Sequence, residues 1–385
     1  MRENNHGKNT KCVHVGTVHD KLTNGANTPV YTSTSNGFDN DSGGLYYPRY
    51  LNMPNHKAVA EKICELEEGG QEAVVVSSGM AAISSAMLAL LKTGDHVLFS
   101  EDLYGGTDYF IKEELEKFGI DYTLASTDDL ENFENKIKDN TKIIYFETPS
   151  NPLLKIVDIE EIVLIAKKYD IITIIDNTFA SPINQNPLKF GVDVVVHSAS
   201  KYLNGHSDLI CGVIVTSEKF MKRIRPYVIN TGGTLNAQDL YLLERSIKTL
   251  NLRMQKHNEN AQKLSEYLEK HPLVKKVYYP GLKSHAGHEI AKAQMSGFGG
   301  VLSVETSLNK EKTRIFLSKL KLFQEAGSLA GVESLISLPC ETSHAKMSLE
   351  TRCNIGITDS LMRISLGIED IEDLIADIEQ AFEKI

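Results

Sequence analysis

Two runs of branched apolar residues end in groups capable of covalent and acid–base chemistry. The run at 192–196 gives way to His197-Ser198-Ala199-Ser200-Lys201-Tyr202. A lysine leaving a buried strand into a hydroxyl-rich turn loses hydration, its pKa falls, and its free amine becomes a nucleophile towards carbonyls. The competing reading is an ordinary solvated lysine. The run at 171–175 ends in Asp176-Asn177-Thr178, a carboxylate at the carboxyl end of a strand, where open α/β sheets bind ligands. Taken alone, such an aspartate reads as a turn cap. A third segment, Val-Val-Val-Ser-Ser-Gly-Met-Ala-Ala at 74–82, runs a strand through small residues into a helix. That path aims the backbone N–H groups of Gly79 and Met80, with the positive end of a helix dipole, at one point suited to a phosphate. A plain tight turn is the alternative, and the segment matches neither G-x-x-x-x-G-K-[ST] nor G-x-G-x-x-G.

An amine, a carboxylate and an anion cradle on one sheet edge are what pyridoxal phosphate (PLP) requires, for its aldehyde, its pyridinium nitrogen and its phosphate respectively. On this reading Ser198 and Ser200 join Gly79 and Met80 at the phosphate, Asp176 keeps the ring protonated, and Lys201 forms the Schiff base. Tyr104, in Leu-Tyr-Gly-Gly-Thr, follows the strand-like run ending at Phe99 and can lay its ring on the pyridine; a core aromatic is the competing account. Arg363 sits inside Leu-Met-Arg-Ile-Ser-Leu-Gly-Ile-Glu, where a bidentate carboxylate partner would satisfy it. That partner is either an amino-acid substrate or an acidic side chain in a structural ion pair. The turn Ser328-Leu329-Ala330-Gly331 can add backbone donors beside it.

These side chains need a scaffold, and residues 74–215 alternate short apolar runs with amphipathic stretches, as a doubly wound parallel sheet does. Strands are expected at 73–76, 96–99, 143–146, 171–175, 192–196 and 210–215, with helices at 80–91, 107–118, 130–138 and 159–169. Residues 1–55, rich in Asn, Thr, Gly and Tyr, read as an extended arm, and the cluster Tyr46, Tyr47, Arg49, Tyr50 argues that it docks onto something. A large domain follows at 56–250 and a smaller α+β domain at 251–385. A long helical pattern from Ala237 through Lys270 leads into it; strands at 274–279, 300–305 and 361–366 and a helix at 371–382 complete it.

Bulk properties narrow the setting. A chain of 385 residues exceeds one compact core. A formal charge of −10 leaves no basic surplus for nucleic acid. The five cysteines, Cys12, Cys64, Cys211, Cys340 and Cys353, are scattered and form no C-x-x-C pair, as expected of reduced thiols in a cytoplasmic protein with no metal site. The start, MRENNHGKNTK, lacks a signal peptide's apolar core. No apolar run approaches the ~20 residues that span a bilayer, so a soluble protein without membrane contact is expected.

Taken in order, these segments resemble the Cys/Met-metabolism PLP-dependent (trans-sulfuration) family. That family includes cystathionine γ-synthase, cystathionine γ-lyase, methionine γ-lyase and the acylhomoserine sulfhydrylases, and the pattern lies nearest the first two. The resemblance runs nearly end to end, through Gly25-Ala26 with Pro29 and the run at 31–34, Tyr47-Pro-Arg49, Ser77-Ser-Gly-Met-Ala-Ala, Tyr104-Gly-Gly-Thr, Glu147-Thr-Pro-Ser-Asn-Pro, Asp176-Asn-Thr-Phe, Ser198-Ala-Ser-Lys201-Tyr, Lys248-Thr-Leu, Tyr279-Pro-Gly-Leu, Gly331-Val-Glu-Ser-Leu and Arg363-Ile-Ser-Leu-Gly. It implies a PLP fold-type I architecture: a mostly parallel central sheet with helices on both faces, plus the smaller domain, assembled as a homotetramer of two tight dimers. It implies that Tyr47 and Arg49 reach the phosphate of a neighbouring subunit's cofactor, that Asn151 lies near the cofactor's phenolic oxygen, and that Thr178 supports the ring beside Asp176. It also assigns Asn151, Ser328 and Arg363 to the substrate, and Glu333 to a distal ammonium group.

The resemblance implies γ-elimination or γ-replacement on sulfur-containing or O-acylated homoserine-type amino acids, with Lys201 moving the α-proton. Departures from the family pattern bear on substrate. One residue is inserted before the proline in Tyr47-Pro-Arg49-Tyr-Leu-Asn-Met-Pro-Asn, and Asp108-Tyr109-Phe110 stands where cystathionine-handling members usually carry an arginine. Ser200 replaces a usual threonine, Ala330 a usual glycine, and Gly106 the cysteine of methionine γ-lyases. The Asp108 departure keeps open an O-acylhomoserine sulfhydrylase or a methionine γ-lyase-like C–S lyase. A non-catalytic binding protein on the same fold is the remaining reading.

Overall fold

The computed structural model describes residues 6–37, 45–342, 345, 350, 352 and 355–385, and Cys353 lies outside them. The chain opens with α1 (Lys8–His14) and α2 (Pro54–Leu66), then alternates β1 (Glu72–Val76), α3 (Gly79–Leu90), β2 (His96–Ser100), α4 (Gly105–Glu113), β3 (Asp121–Ala125), α5 (Leu130–Glu134) and β4 (Thr141–Glu147). It continues through α6 (Ile159–Lys168), β5 (Ile172–Asp176), α7 (Ser181–Asn184), β6 (Val194–Ser198), β7 (Gly212–Thr216), α8 (Glu218–Thr231), α9 (Ala237–Ile247) and α10 (Leu250–Leu268). The last part holds β8 (Val274–Tyr278), α11 (His288–Gln294), β9 (Val301–Thr306), α12 (Lys310–Lys319), β10 (Gln324–Glu325), β11 (Leu335–Ser337), β12 (Leu361–Ser365) and α13 (Ile371–Phe382).

The first seven strands form one sheet in the order β1-β7-β6-β5-β4-β2-β3. The ladders from β6 to β3 are parallel, while β7 runs antiparallel to both β6 and β1. Alternation along each strand divides the core in two. Ile143, Tyr145, Ile174 and Val196 pack with α3, α4 and α8, whereas Ile144, Phe146, Ile175 and Val195 pack with α6. The β1 and β7 residues of that second face, Ala73, Val75, Val213 and Val215, pack with α2, α9 and α10. A sheet covered on both faces needs near-continuous apolar strands, which is why Val194 to Val196 could be read directly. The second sheet, β10-β11-β12-β9-β8, is covered by α10, α12 and α13.

The structure departs from the expected elements in several places. β3 was not anticipated, because its tyrosine and threonine are only half-buried at the sheet edge. The helical pattern beyond Ala237 breaks into α9 and α10 around Lys248 and Thr249. Nor is the first segment wholly extended: α1 docks on α2, with Cys12 fully buried. Lys62 donates to the carbonyls of Cys12 (3.1 Å) and Val13 (3.4 Å), capping α1 from below. Farther along, Thr28 donates to the buried Glu244 (2.9 Å). The arm's first half is thus pinned to its own chain by buried polar contacts, and burial pushes the Lys62 amine down to about 8.

Candidate active site

The carboxyl ends of β4, β5 and β6 meet the start of α3 around a cavity of about 500 Å³. Asp176 and Ser198 close their strands on the face that carries Ile174 and Val196, and both line this cavity. The α3 start supplies Gly79 and Met80, whose N–H groups, as first-turn donors, have no intrahelical acceptor. Ser78 caps the helix by accepting from Ala81 N (3.0 Å). Gly79 is required by contact: a Cβ there would lie 2.8 Å from Ser198 Cβ, so only glycine lets the cradle close on the serine.

Lys201 follows in the turn after β6, its Nζ donating to Ser328 Oγ (2.6 Å). Burial, then the positive Arg363, pushes its amine down to about 8. The solvated-lysine reading therefore gives way to a part-desolvated amine facing a cavity. Asp176 accepts from Thr178 N (2.9 Å), so it does cap its turn while lining the cavity. Burial raises its pKa, and the Thr178 hydroxyl opposes that rise. Thr178 Oγ1 in turn accepts from Ser198 N (2.8 Å), tying the ends of β5 and β6 together. Ser200 also lines the cavity, but its hydroxyl is engaged: Oγ donates to Cys211 O (3.3 Å) and accepts from Cys211 N (3.0 Å).

On the opposite wall Arg363 projects from β12, 8% exposed. It donates to Asn151 Oδ1 (3.1 Å) and to the carbonyl of Ser328 (2.8 Å). Among the described residues no carboxylate pairs with it, so the structural ion-pair account fails. Burial pushes its guanidinium down to about 10. Desolvated positive charge with free donor capacity, beside a cavity, suits a ligand carboxylate.

Tyr104 lines the cavity at the head of α4 and is far from a core aromatic, with 47% of its surface exposed. Its backbone N–H points at both oxygens of Glu147 (3.1 and 3.0 Å). Glu147 was not singled out from the sequence, although it occupies the carboxyl end of β4 just as Asp176 occupies that of β5, and the two are register partners. Burial and then Asp176 push its carboxyl well above the usual range. A Cβ on Gly106 would lie 2.4 Å from the Tyr104 ring, so a cysteine at that position would displace the tyrosine.

Three anticipated residues lie off the cavity. Glu333 accepts from the hydroxyl of Ser207, which itself lines the wall, and so sits one side chain behind it. Tyr47 and Arg49 are elsewhere: Arg49 donates to Ile229 O (3.0 Å), its guanidinium 5.8 Å from the Tyr47 ring centre and 5.1 Å from that of Tyr50.

The donor set fits pyridoxal phosphate: free first-turn amides and a serine hydroxyl for the phosphate, a strand-end carboxylate, and an amine of lowered pKa. Fold and cavity define a PLP enzyme built on an open α/β sheet. The model of the Cys/Met metabolism PLP-dependent enzyme family matches residues 9–383, and the chain belongs to that family. It is 47% identical over 379 residues to a cystathionine beta-lyase of Lactococcus lactis subsp. cremoris, covering 97% of this chain and 98% of the relative. It is 45% identical over 381 residues to a cystathionine gamma-lyase of Bacillus subtilis, covering 98% and 100%. The crystal structure of cystathionine gamma-lyase from Lactobacillus plantarum complexed with L-serine matches with a TM-score of 0.94 at 40% identity, covering 99% of both chains.

Proposed function

We propose that this chain catalyses PLP-dependent γ-elimination or γ-replacement on sulfur-containing or O-acylated homoserine-type amino acids, cystathionine foremost. The observation that carries the reading is the buried Arg363, without a carboxylate partner among the described residues, across one cavity from the Lys201 amine. The cofactor, when bound, supplies an electron sink for bonds at the substrate's Cα. Gly79, Met80 and Ser198 would hold its phosphate, joined by Ser200 once its hydroxyl turns from Cys211; Asp176 would hold its ring nitrogen, Thr178 would support the ring beside it, and Tyr104 would cover its face. Arg363, with Asn151 and Ser328, binds the substrate α-carboxylate and so fixes Cα towards Lys201. Lys201 Nζ takes the proton from Cα and returns a proton later in the cycle. Tyr104 covers the site, and its hydroxyl is the second proton-handling group.

Two observations favour narrower alternatives. The similar Lactococcus lactis protein is named a cystathionine beta-lyase, which supports β-elimination. Asp108, paired with Lys112 (2.8 Å) in place of the usual arginine, supports a smaller substrate, as in O-acylhomoserine sulfhydrylation or a methionine γ-lyase-like reaction. One product assay separates them. From cystathionine and water, γ-cleavage yields cysteine, 2-oxobutanoate and ammonia, whereas β-cleavage yields homocysteine, pyruvate and ammonia. Turnover of O-acylhomoserine only with sulfide, or of methionine alone, selects the other two, and inertness to all three substrates refutes the assignment.

We read the chain as an arm (1–55), a cofactor domain (56–250) and a small domain (251–385), assembled in the cytoplasm as a homotetramer of two dimers. Tyr47 and Arg49, lying off their own chain's cavity, would serve the cofactor phosphate of a neighbouring copy. Light scattering that returns a monomer at working concentration refutes this. Among the described residues no helix is long and apolar enough to cross a membrane.

A further inference from the structure

Behind the strand ends that carry Asp176 and Ser198, on the sheet face away from the cavity, a chain of polar side chains is sealed from solvent. Glu67, just past α2, is 0% exposed, and its Oε1 lies 2.6 Å from His197 Nε2. The same oxygen accepts from Asn177 Nδ2 (2.9 Å). Asn177 Oδ1 accepts from Gln185 Nε2 (2.9 Å), which also donates to the carbonyl of Thr148 (3.0 Å). Gln294 closes the far end, donating to Gln185 Oε1 (3.3 Å) and Val157 O (3.1 Å).

Each strand end is gripped through a chain neighbour of a cavity residue: His197 precedes Ser198, Asn177 follows Asp176, and Thr148 follows Glu147. Apolar side chains would fill this space without the desolvation penalty that buried polar groups carry. Glu67 Oε1 takes two donors, and its Oε2 has no partner among the described residues. Both contacts fall on one oxygen, which accepts the amide N–H of Asn177 and faces the ring nitrogen of His197. Lys8 also lies within range of the Glu67 charge but donates to the carbonyl of Ile183 (2.5 Å), so the imidazole of His197 is the basic group in direct contact with the carboxyl.

We propose that Glu67 and His197 form a buried ion pair that positions the ends of β5 and β6 and holds Asp176 as a carboxylate. They are positioning residues, acting through Asp176 and Ser198 rather than on substrate. The electrostatics agree in sign: burial works to protonate Asp176, and the positive His197 opposes it. The inference rests on the reading of Asp176 as partner of the cofactor's ring nitrogen.

The test uses holoprotein carrying pyridoxal phosphate labelled with ¹⁵N in its ring, whose chemical shift reports ring protonation. Asp176→Asn must move that shift towards the unprotonated position; if it does not, the reading of Asp176 fails. Glu67→Gln keeps the shape and an acceptor but removes the charge, and His197→Gln keeps a donor but removes the cation. Each variant is expected to move the ring shift in the same direction as Asp176→Asn and to weaken cofactor binding about tenfold, the equivalent of one pKa unit. Folded variants with unchanged ring shift and cofactor affinity, against a responsive Asp176→Asn, overturn the ion-pair inference alone. Should neither variant fold, ¹⁵N-histidine spectra of the wild type decide. Both ring nitrogens of His197 are expected to carry protons, and a neutral imidazole overturns the proposal.

Discussion

Arg363 offers the sharpest separation between a binding role and a structural one. Its guanidinium makes two hydrogen bonds, to Asn151 Oδ1 (3.1 Å) and Ser328 O (2.8 Å), and no carboxylate pairs with it among the described residues. Replacing it with methionine removes those bonds, each worth roughly 1.5–3 kcal/mol when a charge is involved. It also removes a buried, unpaired charge whose desolvation costs several kcal/mol. The terms oppose, so the ligand-free protein should change in stability by no more than about 1 kcal/mol. Substrate binding has no such offset. Arg363→Lys, which keeps the charge but loses the fork, should forfeit about 1.5–3 kcal/mol of carboxylate recognition. At 1.4 kcal/mol per decade this is a rise in KM of about 10- to 150-fold. Urea unfolding of the ligand-free protein and steady-state kinetics on the holoenzyme measure the two quantities. A methionine variant several kcal/mol less stable, with a lysine variant of unchanged KM, would refute the reasoning and make Arg363 a structural group.

Lys201→Ala should fold yet lose the visible absorbance of lysine-bound cofactor; a wild type that stays colourless with excess pyridoxal phosphate removes the enzyme reading. The folded pKa of Lys201, about 8, lies below its unfolded value of ~10.4. Between those values the unfolded chain holds a proton that the folded chain has released, so cofactor-free stability rises with pH across that window. Urea midpoints should show the rise, and Lys201→Met should remove its share; Lys62, also at about 8, adds a parallel share that Lys62→Met removes. Lys62→Met should also free α1, read as faster tryptic cleavage within the first segment. Glu147→Ala should leave the Tyr104 N–H without its acceptor and cost about 1–3 kcal/mol in thermal denaturation, whereas Glu147→Gln, which keeps an acceptor oxygen, should cost less.

Much of the cavity was legible because a fully covered parallel sheet writes its strands as apolar runs, and polar residues at their ends stand out. Asp176, Ser198 and Lys201 were found that way. Glu147 satisfied the same rule and was passed over because no cofactor atom demanded it; its work is on the backbone of Tyr104. Elements whose stability comes from tertiary contact were harder to see. In α1, Lys-Asn-Thr-Lys-Cys-Val-His has no apolar stripe, and only Cys12 is buried. α12 was missed because Lys-Glu-Lys-Thr-Arg-Ile-Phe-Leu-Ser-Lys buries only Thr313, Phe316 and Leu317. The absence of a carboxylate partner for Arg363 among the described residues is a statement about space that no spacing of residues encodes.

The strand ends show why this chemistry sits at a sheet edge. Successive residues of a strand point to opposite faces, so Asp176-Asn177 and His197-Ser198 each deliver one polar side chain to the cavity and one to the buried layer behind it, and after Glu147 the carbonyl of Thr148 joins the same layer. A single polar side chain at a strand end would have to be positioned by the strand alone, and an apolar neighbour would leave it free to slide with the loop that follows. Because Asn177 and His197 are hydrogen-bonded to one fixed oxygen, Glu67 Oε1, the ends of β5 and β6 keep a common register. The spacing between Asp176 and Lys201 is then set by side chains that never meet the substrate. Changes at Glu67 should therefore alter the cofactor environment more than they alter recognition of the substrate carboxylate by Arg363, which hangs from the other sheet.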